Sequence, residues 1–137
     1  MLDNILASIQ SNYVAWCEKG GIKPSEKDIQ NLNSVVLDSL RTVYNKKSGG
    51  ELMLKGKGSG REEKLVFSLA GDLCQIAAWN QNYKIPLNEL QNIKKMNINY
   101  ESSKEGRVWA YCYFVEPDAE RFAQKLLDKI EKSEKHA

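Results

Sequence analysis

Histidine is almost absent from this chain: His136, next to the last residue, is the only one in 137. A lone imidazole in a tail expected to fray leaves no base to activate a Ser or Cys nucleophile, and no His cluster to hold zinc. Cysteine is scarce too. Cys17, Cys74 and Cys112 are far apart, without the paired spacing of a disulfide framework or a metal knuckle. Each has apolar neighbours and reads as a small buried hydrophobe, a reduced thiol suited to a cytoplasmic protein. No apolar run approaches the ~20 residues that span a bilayer, and no charged-then-apolar leader opens the sequence. A soluble chain with no membrane partner is expected. Charge of one sign is also missing, since 20 Lys and Arg face 18 Asp and Glu for a net charge of +2. That balance excludes a histone-like polycation. There is no internal repeat and no heptad run.

What remains is an ordinary globular composition, 42% hydrophobic and 28% charged. The length suits one domain over 1–137, and a chain of this size buries roughly 70% of its unfolded surface. Leu2, Ile5, Leu6, Ile9, Tyr13 and Cys17 recur at spacings of three and four, which predicts a helix over 3–19 ended by Gly20-Gly21. Pro24-Ser25-Glu26-Lys27-Asp28 is a helix start, with Ser25 as the cap. Ile29, Leu32, Val36, Leu40 and Val43 carry that second helix over 25–45.

Composition then shifts sharply. Between Asn45 and Arg61 lie five glycines and the basic residues Lys46, Lys47, Lys55, Lys57 and Arg61, against the single acid Glu51. Glycine-rich backbone approaches phosphates closely, and neighbouring cations supply charge. The spacing is not that of a P-loop, because Gly50 to Gly56 encloses five residues and Gly58 follows Lys57. The expectation is a flexible Gly/Lys-rich loop over 45–61 contacting nucleic-acid backbone, or a hairpin in which Leu52-Met53-Leu54 is a short strand.

Leu65, Val66, Leu69, Leu73, Ile76 and Ala77 keep helical spacing, so a third helix is expected over 62–80, apolar over most of its circumference. The run Leu69-Ala70-Gly71-Asp72-Leu73, with Ile76-Ala77 and Ile85-Pro86-Leu87-Asn88-Glu89-Leu90 after it, resembles the closing half of all-α nucleotide pyrophosphohydrolases of the MazG type. The resemblance spans about thirty residues. It implies a helical metal site in which Asp72 and Asp38 are the surviving acids and Lys94 and Lys95 close the motif. Leu69 stands where that family places a glutamate, so the resemblance implies a degenerate copy. The adjacent acids Glu62 and Glu63 would not face each other on a helix. No catalytic constellation is visible, and a non-enzyme without metal or cofactor is expected.

In the last third, a short helix over 87–95 gives way to alternation. Val108, Ala110, Cys112 and Phe114 share one parity, and Trp109, Tyr111 and Tyr113 the other. That predicts a strand from Arg107 to Val115, paired in a hairpin with Met96 to Tyr100. If the smaller residues face the helices, the aromatic row with Arg107 lines the opposite face. There it can anchor a protein partner or stack bases. Pro117-Asp118 then starts a closing helix to 133, followed by a frayed tail at 133–137. The fold expected is α+β, mainly helical, with a C-terminal β-hairpin or small antiparallel sheet. The function expected is a small non-catalytic binding module of a larger complex. It contacts nucleic acid through the loop or, alternatively, docks on a protein as adaptor or inhibitor through the aromatic strand.

Overall fold

The computed structural model describes residues 1–56, 60–95 and 108–115, with 55, 56, 94, 95 and 108–115 described through their backbone. Helix α1 runs Leu2–Lys19 and α2 runs Glu26–Lys46. The end of α1 is set by backbone bonds that two glycines permit. Gly21, at φ +76°, donates to Glu18 O, and Ile22 reaches back to Cys17 O at 2.9 Å. The start of α2 is a reciprocal cap: Ser25 Oγ accepts from the Asp28 amide at 3.2 Å, while Asp28 Oδ2 accepts from the Ser25 amide at 2.8 Å. Asp28 is buried in making it.

The fold is α+β. Strands β1 (Gly49–Gly56), β2 (Glu62–Ala70), β3 (Leu73–Ala78), β4 (Gln81–Pro86) and β5 (Val108–Val115) form one antiparallel sheet in the order β4-β3-β2-β1-β5. A 3-10 helix, Leu87–Lys95, follows β4 and matches the short helix expected there. It is held to α2 by Arg41, whose guanidinium donates twice to Ile93 O, at 3.1 and 3.3 Å.

Two expectations are corrected. The third helix over 62–80 does not form: those residues are β2, a two-residue turn, β3 and a second turn. Its apolar residues satisfy period two as well as period 3.6. Leu65, Phe67 and Leu69 alternate on one face of β2, and Cys74, Ile76 and Ala78 do so on β3. The turns decide between the two periods. Ala70 pairs with Leu73, so Gly71-Asp72 is the whole connection, and Gly71 takes φ +60°. Ala78 pairs with Gln81, and Trp79 and Asn80 both adopt left-handed φ, 49° and 59°, the sign pattern of a type I′ hairpin turn.

The stretch over 45–61 is, for its central part, a strand. Leu52 and Leu54 have 0% exposure, and β1 lies inside the sheet between β2 and β5. The short-strand alternative at Leu52-Met53-Leu54 therefore describes this stretch better than the loop does. β5 forms where expected and pairs along one edge with β1, in register from Gly49 opposite Val115 to Gly56 opposite Val108. The proposed pairing segment at 96–100, the closing helix from 117 and the tail lie outside the described residues.

The core lies between the sheet and the two helices. Ile9, Tyr13, Trp16 and Cys17 from α1, with Leu32, Val35, Val36, Leu40 and Val43 from α2, pack on the inner faces of β1 to β4. Leu90 and Ile93 of the 3-10 helix join the same cluster. Polar bonds fix α1 over β4. Tyr83 Oη donates to Gln81 Oε1 at 2.6 Å and accepts from Asn12 Nδ2 at 2.7 Å, and Ser8 Oγ stands 3.4 Å away.

Candidate functional site

Directly paired residues in a sheet share a face. Leu52 pairs with Cys112 and Leu54 with Ala110, so that parity of β5 belongs to the face covered by α1 and α2. Trp109, Tyr111 and Tyr113 stand opposite Lys55, Met53 and Glu51, which places all three aromatic positions on the outer face. Arg107 lies outside the described residues.

The outer face is not uniform. Ser68 and Gln75, cross-strand partners on β2 and β3, are 0% and 4% exposed, so the face is closed there. Toward β1 it opens. Lys64 Nζ and Glu51 Oε2 form an ion pair at 3.3 Å with side chains 46% and 34% exposed, and Met53 beside them is half-buried. The open strip is the one bordering Tyr111 and Tyr113.

The basic residues that are close in sequence are divided in space. Lys46 ends α2, and Lys47 caps it in a left-handed conformation, φ 51°, with Nζ 4.0 Å from the centroid of the Tyr44 ring. Lys55 lies near the far end of β1, an eight-residue strand whose ends stand roughly 23 Å apart at about 3.3 Å per residue. Lys57 lies outside the described residues. Arg61 turns back to α1, where Nη1 donates to Trp16 O at 2.8 Å and the guanidinium lies 5.4 Å from the Trp16 ring centroid. The structure thus brings Lys55 and Arg61 to one end of the sheet and leaves Lys46 and Lys47 at the other.

The carboxylates implied by the nucleotide-hydrolase resemblance sit in unlike places. Asp72 is exposed in the β2–β3 turn, and Asp38 is half-buried on α2. The stretch that carries the resemblance, Leu69 to Ala77, is a β-hairpin instead of a helix, so the helical frame of that family is missing here. Among the described residues no group of three His, Cys, Asp or Glu is placed to hold a metal ion. Burial pushes the Cys74 thiol up to about 12, which keeps it protonated and a poor nucleophile at neutral pH. Among the described residues no helix is long and apolar enough to cross a membrane.

Sequence reasoning missed Trp79 and Asn80, because a tryptophan in a hairpin turn carries no turn signature. The signal available was the exact two-residue gap between Ala78 and Gln81, visible only once both flanks are read as strands. Comparison of the chain with protein-family models, with curated proteins and with solved structures finds no match.

Proposed function

We propose that this protein is a small non-catalytic binding module that docks on a protein partner as an adaptor or inhibitor, through the β1–β5 side of its outer sheet face. The observation that carries the reading is the β1–β5 register, which sets Trp109, Tyr111 and Tyr113 in one row beside Met53 and the exposed Glu51–Lys64 pair. Tyr, Trp and Met with a polar rim are the composition of interface centres. Cys17 and Cys74 are free thiols, which suits a cytoplasmic module.

The test is capture of binding proteins by the immobilised wild-type chain and by Tyr111→Ala, washed at low and at high salt. Partner retention that survives salt and is lost in Tyr111→Ala is expected. Capture that is unchanged by Tyr111→Ala overturns the reading.

Nucleic-acid contact is a second reading, favoured by one feature. Lys55 pairs with Trp109 at the same end of the sheet as Arg61, so a cation and an aromatic position are adjacent. Titration of a labelled single strand at two salt concentrations separates the readings. Binding that weakens steeply with salt, with a slope reduced by Lys55→Ala, selects nucleic acid over protein.

A further inference from the structure

β4 is an end strand of the sheet, and among the described residues no strand lies beyond it. The phase of its hydrogen bonds sets what that edge offers. Ala78 and Gln81 close a two-residue turn as a hydrogen-bonded pair, and bonded pairs then recur at every second residue. Tyr83 and Ile85 thus bond Ile76 and Cys74. The Leu87 amide, 2.8 Å from Asp72 O, continues the same phase past the strand. Asn82 and Lys84 fall between these positions. Their N–H and C=O groups point away from β3, toward the edge, as does the carbonyl of Pro86, which has no N–H.

Such an edge is a template for another strand, and a lysine on it is a common guard against pairing. Here the guard acts on one register. A second copy of β4 running antiparallel bonds in phase only when even-numbered residues stand opposite each other. Lys84 opposite Lys84 puts like charges together and sets Asn82 against Pro86, which lacks a donor. Asn82 opposite Asn82 engages one residue of each strand, since Asn80 is left-handed and already in the turn. Asn82 opposite Lys84 satisfies both residues of both copies and opposes no like charges. The edge is self-complementary in that register.

The helix above it leaves room for a second copy. Asn12 Nδ2 and Ser8 Oγ both donate to Tyr83 Oη, so α1 stands over β4. Ser8, Ser11 and Ala15 follow at spacings of three and four on the adjoining side of α1, and Ser11 and Ala15 are exposed. Small side chains there allow a second helix to come close.

We propose that two copies of this chain pair antiparallel through β4, with Asn82 of each opposite Lys84 of the other, joining two five-stranded sheets into one. The two-fold axis passes between the two Tyr83 residues, and both α1 helices lie on the same side of the joined sheet. This is the edge opposite β5, so the pairing is independent of docking through the β1–β5 side.

The test is sedimentation velocity on the full chain over a concentration series, with amide hydrogen exchange followed by NMR at the same concentrations. A dimer that forms below about 100 μM is expected. In it the Asn82 and Lys84 amides should exchange at least about tenfold more slowly than in the dilute monomer. The Tyr83 and Ile85 amides, bonded to β3, should stay protected throughout. Lys84→Pro removes one edge donor from each copy and keeps every bond to β3. It should weaken the dimer at least about tenfold while the chain stays folded. A chain that remains monomeric to about 500 μM overturns the proposal. So does a dimer whose Asn82 and Lys84 amides exchange as in the monomer, or protection of those amides that ignores concentration. A folded Lys84→Pro variant that dimerises like the wild type overturns it too.

Discussion

Cys74 sits on the inner face of β3 with 0% exposure, and its burial holds the thiol protonated up to about 12, against 9.0 for an open thiol. The consequence is a pH effect of definite sign. Below about pH 9 both folded and unfolded chains keep this proton, and Cys74 adds no pH dependence. Between 9.0 and about 12 the unfolded chain gives up its proton and the folded one does not, so stability falls as pH rises through that window. Urea midpoints measured from pH 8 to 11 should decline less steeply in Cys74→Val than in the wild type. Equal slopes would mean that the thiol is less buried than described. At this scale the sequence was partly legible. Ser25 as a cap and Cys74 as a core thiol follow from neighbours within a few positions. Arg61 does not, because its partner is the carbonyl of Trp16, distant in sequence, and no local pattern announces a side chain that reaches back to close a helix end.

Among elements, the contrast between α2 and β2–β3 explains what sequence patterning can and cannot settle. In α2 the stripe is narrow and the opposite side polar, so only a period of 3.6 fits. In β2–β3 the apolar residues are nearly continuous, and strands packed centrally in a sheet lose the alternation that would identify them. The turn at Gly71 carries the decision, and it is testable. A Cβ on Gly71 would meet nothing within 4 Å, so Gly71→Ala has no clash to confound it, only the φ of +60°. A loss of about 1–2 kcal/mol is expected for Gly71→Ala in urea unfolding, and less for Gly71→Asn, whose side chain tolerates that region. If both substitutions are neutral, the turn does not specify the hairpin. The same reasoning applies to β1, where Leu52 and Leu54 carried the strand signal but the surrounding Gly and Lys residues read as a loop. Gly49 and Gly50 open a strand because β5 pairs with both and β2 pairs with Gly50, a non-local fact.

For the whole molecule, the sheet separates two surfaces of different chemistry. Its inner face is covered by α1, α2 and the 3-10 helix, with a cleft beside α1 whose walls include Asn12, Lys19, Arg61 and Glu63. Its outer face is closed at Ser68 and Gln75 and open at Glu51 and Lys64, where the aromatic row of β5 borders it. The row was legible as an alternation. The cleft was not, since it exists only where α1 crosses the end of a hairpin that had been read as a helix. No residue named for one surface belongs to the other, and the core of Leu52, Leu65, Phe67 and Ile76 stands between them with 0% exposure. Residues on opposite sides of a packed sheet with no shared partners act additively, within about 0.5 kcal/mol. The urea-unfolding effects of Tyr111→Ala, which should abolish protein capture, and of Cys74→Val, on the helix-covered face, should therefore add within that margin in the double variant. A larger departure would mean that the sheet transmits a change between its faces.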